Sequence, residues 1–171
     1  MSEGPNSTSR REDHEVALRT YLRDHTAGAQ HALALFQALG KVHAGTDLGD
    51  FADGQFHQVK ADLKVFEQLA RDAGADGYEL MEAAGWLADK LSRLKLAPLD
   101  DPFHTFEARE FLSLGILGKR ALWKALLSVA TEHPVLAGID FANLIERAEQ
   151  QHAATEEKRL ATAVQAFGEK N

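Results

Sequence analysis

The chain has 171 residues, 44% hydrophobic and 8% aromatic, enough for one domain with a full core and too apolar for a disordered protein. Its 19 Lys and Arg stand against 26 Asp and Glu for a formal charge of −7, and no basic run interleaved with aromatics offers a nucleic-acid face, so no nucleic-acid partner is expected. The absence of cysteine removes disulfides, thiolate zinc sites, iron–sulfur clusters and cysteine nucleophiles, and leaves His and carboxylates as the metal-holding side chains.

The greasiest stretch, 111–130, is broken by Lys119, Arg120 and Lys124, so no membrane span is expected. Residues 1–13 are polar and lack the apolar segment of a secretory signal. They read as a disordered tail ahead of a single domain over 14–171, in a cytoplasmic protein.

Five helices are expected. The first runs from about residue 14 to 39, with Ser9 and Asp13 as cap candidates and Gly40 as its stop. Leu18, Tyr21, Leu22, His25, Ala29, Ala32 and Phe36 share one face, which puts His25 near the centre of the apolar stripe with Gly28, Ala29 and Ala32 leaving space around it. The second follows a Gly/Asp-rich loop over 46–53, carries Val59, Leu63, Phe66 and Ala70 on one face with Asp62 at its edge, and stops near Gly74.

The third opens with Asp76 and Glu79 in capping-box spacing and continues through Trp86, Leu87 and Leu94 to the turn at Pro98. The fourth starts with Asp101 as cap and Pro102 in the first helical position, and ends before His133-Pro134. Glu110 groups with Phe103, Leu114, Leu117 and Ala121; Leu112, Ile116, Trp123 and Leu127 occupy the opposite side, so this helix is apolar nearly all round and calls for cover by the third helix or by a partner. Gly115 and Gly118 allow close helix approach, inside the bundle or in a homodimer. The fifth begins near Asp140, with Ile139 and Leu144 as a hydrophobic staple, and reaches about Phe167.

Short connections make neighbouring helices antiparallel. With the third helix as an outer crossover, the other four form an up-down-down-up bundle; a plain five-helix bundle is the alternative. The chemistry in this bundle centres on Glu149-Gln150-Gln151-His152, where a Glu and a His three residues apart project the same way. His152 falls on the stripe Phe141, Ile145, Ala148, His152 and Ala163. Counting about 1.5 Å per residue gives two polar layers, His25/Glu149/His152 and Asp62/Glu110/Glu156. Imidazole and carboxylate together suit iron, manganese or zinc, and buried anionic ligands need a cation. In the competing reading these groups satisfy one another, His25 bonding Glu149 and Arg159 neutralising the acidic layer. His14, His43, His57, His104 and His133 lie on ends, loops or outward faces.

In helix pattern over about residues 14–167, and in the segments Tyr21-Leu-Arg-Asp-His25-Thr-Ala-Gly28 and Gly115-Ile-Leu-Gly-Lys-Arg-Ala-Leu-Trp123, the chain resembles small bacterial branches of the ferritin-like superfamily. That resemblance implies a Glu on each of two helices and a Glu-x-x-His on each of the other two. Glu149 and His152 match one such motif, and Glu110 stands for a single Glu. His25 replaces the other Glu, and Asp62 followed by Val65 replaces the second motif. The resemblance therefore implies a mononuclear metal site or a metal-free relative in place of a di-iron centre with ferroxidase activity. Two functions follow: a bundle that binds one transition-metal ion, for metal handling or a simple redox or hydrolytic step, or a non-catalytic, metal-free bundle acting through protein–protein contacts or dimerisation.

Overall fold

A computed structural model gives the architecture and describes residues 5–75 and 98–168. Among these the structure consists of α1 (Pro5–Val42), α2 (Asp47–Asp72), α3 (Pro102–Ser128), a 3-10 turn (Pro134–Leu136) and α4 (Phe141–Phe167), with no strand. The fourth and fifth helices expected from sequence are thus α3 and α4. The expected third helix, from Asp76 to Pro98, falls outside the described residues apart from Pro98 itself.

The helix starts follow local chemistry. The described part of α1 begins at Pro5, ahead of the start expected near residue 14. It runs through Gly40 to Val42, and the left-handed glycine that turns the chain is Gly45, at φ 77°. Of the stretch 46–53, expected as a loop, residues 47–53 are the first part of α2. Thr46 caps it, its Oγ1 accepting from Gly49 N at 3.3 Å, and Asp47 and Asp50 sit in the first turn where the helix dipole favours acids. Gly49 is required there by packing: a Cβ would stand 2.3 Å from the His43 carbonyl oxygen. Asp101 caps α3 by accepting from Phe103 N and His104 N, with Pro102 first in the helix, and Asp140 caps α4 by accepting from Asn143 N.

α1 packs along α2 and α3 packs along α4, with a smaller contact between α1 and α3. One apolar cluster joins early α1 (Leu18, Leu22), late α2 (Phe66, Leu69), late α3 (Leu122, Trp123, Leu126) and early α4 (Phe141, Leu144). The other joins late α1 (Leu35, Phe36, Leu39), early α2 (Ala52, Val59) and early α3 (Ala108, Leu112, Ile116). Hence α1 and α4 run one way and α2 and α3 the other. Ala75 belongs to the first cluster and Leu99 to the second, so the chain leaves α2 at one end of the bundle and reaches α3 from the other. Between the clusters lies a layer of buried polar side chains, Asp62, Lys119 and Gln151.

The inward faces of α3 and α4 differ from those expected. On α3 the buried side is Thr105, Arg109, Leu112, Ser113, Ile116, Lys119 and Trp123, whereas Phe103, Glu110, Leu114 and Ala121 are exposed. On α4 the buried positions include Phe141, Leu144, Ala148, Gln151, Thr155 and Thr162, which rotates Glu149 outward and leaves His152 half-buried. In both helices, polar residues on the core side broke the hydrophobic period and the outer small or apolar residues imitated it. No described helix is long and apolar enough to cross a membrane.

Candidate functional site

The polar layer is built around Asp62, which is 1% exposed. Its Oδ2 accepts from Lys119 Nζ at 2.5 Å and from Gln151 Nε2 at 3.3 Å, and its Oδ1 accepts from Arg147 Nη2 at 2.5 Å. Lys119 also donates to Gln151 Oε1. Three helices meet here: α2 supplies the carboxylate, α3 the ammonium, and α4 the amide and the guanidinium. Burial lowers the Lys119 pKa; the Asp62 charge and hydrogen bond oppose that shift, and Arg147 adds to it. The desolvation of one carboxylate is therefore offset by two cations that belong to the chain itself.

The other residues expected in a metal site are distributed as follows. Glu149 is exposed and faces Arg120 Nε and Lys124 Nζ, each at 3.6 Å. Glu156 takes two hydrogen bonds from Arg159, at 2.5 and 2.8 Å, and one from Ser113 Oγ at 3.0 Å. Chiefly through Arg159, its carboxyl pKa is pushed down to about 2. Arg159 also reaches Glu110 at 3.5 Å, so it pairs with two of the three acids of the layer it was expected to neutralise, while Asp62 pairs with Lys119 and Arg147, and Glu149 meets Arg120 and Lys124 where His25 had been expected. Asp62 belongs to a separate cluster with Arg147 and Gln151, lower on α4 than the level of Glu156 at which it was expected. His25 is half-buried on α1 and packs edge-to-face on Tyr21, ring centroids 4.7 Å apart. Among the described residues, no three His, Asp or Glu side chains group so as to hold a metal ion. The expected layers His25/Glu149/His152 and Asp62/Glu110/Glu156 depended on inward faces that α3 and α4 do not present.

Beside the polar layer a cleft of about 290 Å³ opens between α1, α2 and α3. Ala29, Ala32, Val59, Phe66, Phe111 and Ile116 make its apolar walls; Asp24, His25 and Lys119 are its polar lining. Gly28, Gly115 and Gly118 also line it, and a Cβ built on any of the three meets no atom of the described residues within 4 Å. Among the described residues no helix comes close to Gly115 or Gly118; the two neighbours expected to cover this helix, the third helix and a second copy, lie outside what the structure describes. Burial also lowers the His25 pKa, against the opposing charge of Asp24, which favours the neutral imidazole.

Sequence reading missed Lys119, Arg147 and Gln151 because only carboxylates and imidazoles were sought as core polar groups. The signal available was Lys119 itself, a cation within the most apolar stretch of the chain and close in register to Ile116 and Trp123. It also missed His31, 6% exposed with Nδ1 2.7 Å from the Ala27 carbonyl, and placed His43 as solvated, whereas His43 Nε2 lies 2.8 Å from the Leu99 carbonyl. Arg109 is a further buried cation: it donates to Lys158 O and Thr162 Oγ1, its Nε has no partner among the described residues, and burial draws its pKa down to about 10. No protein-family model, characterised protein or solved structure matches this chain.

Proposed function

We propose that the protein is a helical-bundle binding protein whose site is the cleft between α1, α2 and α3, and whose ligand is a small, largely apolar molecule. The observation that carries this reading is the cleft itself. Its volume of about 290 Å³ is near the lower edge of small-molecule sites, which span roughly 300–1,000 Å³ and combine apolar walls with a few polar groups. Two of its polar lining groups, His25 and Lys119, have pKa values shifted by burial, a feature that clusters at functional sites. The reading invokes no metal: Asp62, Glu110, Glu149 and Glu156 each face Lys or Arg side chains. The ferritin-like arrangement is proposed with it, supported by two antiparallel helix pairs in which α2 and α3 run parallel.

The test is a fluorescence titration with phenylnaphthylamine, a neutral apolar probe that brightens on leaving water. Wild-type protein should bind it saturably, and Gly28→Leu and Gly118→Leu, which extend side chains into the cleft, should each weaken binding about tenfold or more while circular dichroism stays helical. Binding unchanged by both substitutions would remove the cleft as the site. A second reading, a homodimer through the outer face of α3, is supported by exposed Leu114, Ala121 and Ala125 at helical spacing. It predicts a dimer in light scattering that Leu114→Lys converts to monomer.

A further inference from the structure

We infer that the molecule taken by the cleft is an apolar monocarboxylate, with a hydrocarbon or aryl body and one acidic head. The inference rests on the reading of the cleft as a binding site and adds the charge and position of the ligand's head group. The body follows from the walls: Ala29, Ala32, Val59, Phe66, Phe111 and Ile116 offer only hydrocarbon, so a polar body would lose its hydration without recovering hydrogen bonds. The glycines widen the space by leaving the helix surfaces bare at Gly28, Gly115 and Gly118.

The head follows from charge. Lys119 and Arg147 are both hydrogen-bonded to Asp62, the one carboxylate in that cluster among the described residues. The cluster thus carries one positive charge in excess, and Lys119, 6% exposed, is its member that lines the cleft. An ammonium has three donors, and Asp62 and Gln151 take two of them. A carboxylate brought against Lys119 accepts the third and offsets the excess charge, in the class of hydrogen bond strengthened by charge on both partners. An amine head would meet a like charge, and an alcohol would bring an acceptor without the charge. The acid at the cleft, Asp24, is already paired with Arg23 Nη2 at 3.1 Å, and His25, kept neutral by burial, retains a ring N–H donor.

The experiment is competition for bound phenylnaphthylamine on the wild-type protein by octanoate, octanol and octylamine, which share one body and differ in the head. Octanoate is expected to displace the probe with an apparent dissociation constant at least about tenfold lower than octanol, and octylamine to be the weakest. Octanoate that fails to displace the probe, or that only equals octanol, overturns the monocarboxylate inference and leaves the cleft reading intact. Absence of saturable probe binding removes the cleft reading, and the inference falls with it. A second arm uses Lys119→Met, which removes the excess charge and leaves Asp62 bonded to Arg147 and Gln151. The octanoate-to-octanol preference should collapse in this variant and persist in Lys119→Arg. A preference that survives loss of the Lys119 charge overturns the assignment of the head group to that residue.

Discussion

Asp62 and Lys119 show what a buried charge does to its neighbours. Each is nearly sealed from water, and they meet at 2.5 Å, so removing either takes a charge partner from the other. Asp62→Leu leaves Lys119 and Arg147 facing no carboxylate and should cost roughly 3–5 kcal/mol. Lys119→Met leaves Asp62 with Arg147 and Gln151, and should cost less, because a partly exposed guanidinium and an amide still satisfy the carboxylate. Lys119→Met combined with Asp62→Leu should be more stable than Asp62→Leu alone, since it removes the more deeply buried of the two cations that the single change leaves without a carboxylate. Urea denaturation of the four proteins measures this directly; additive losses would mean that the pair is not coupled. Arg147 was invisible to sequence reading for a related reason. Its side chain is about one third exposed, and it serves the core only through its guanidinium tip, a distinction by atom that hydropathy by residue does not make.

At the scale of the helix, the glycines divide by what surrounds them. Gly115 and Gly118 sit inside α3 with no atom of the described residues near the place of a Cβ, so each forgoes helix propensity without relieving a clash among them. Gly115→Ala and Gly118→Ala should each stabilise the protein by about 1 kcal/mol in thermal unfolding. Gly49→Ala should destabilise it by roughly 1–3 kcal/mol, because a Cβ would fall 2.3 Å from the His43 backbone oxygen, which cannot swing aside as a side chain could. Loss of stability in the α3 alanine variants would show that those positions are packed closely after all. The caps of α3 and α4 were legible because Asp101-Pro102 and Asp140 act through their own backbone neighbours. Which face of each helix points inward was not, since Arg109, Ser113 and Lys119 occupy the core side of α3, and Gln151, Thr155 and Thr162 that of α4. Arg109 bonds Thr162, Ser113 bonds Glu156 and Lys119 bonds Gln151 across the two helices, and one helix read alone cannot reveal such pairing.

At the scale of the whole molecule, the all-helical character came through in the sequence because helical periodicity and caps agree along most of the chain. The candidate site did not, because it depends on three helices at once: α1 and α3 contribute glycines, α2 contributes Val59 and Phe66, and the Asp62 cluster reaches across to α4. The core is also split, with a lower cluster drawing on all four helices and an upper one on α1, α2, α3 and the Leu99 turn. The cleft lies alongside the polar layer between them, where apolar packing gives way to hydrogen bonding. If it is the place at which this protein meets its ligand, the response to a ligand must be local to that layer. The most direct measurement is a backbone amide chemical-shift map of the wild-type protein titrated with phenylnaphthylamine. Saturable shifts should gather at Gly28, Ala29, Ala32, Gly115 and Gly118; shifts that gather instead around the exposed Leu160, Val164 and Phe167 of α4, or none at all, would contradict the account.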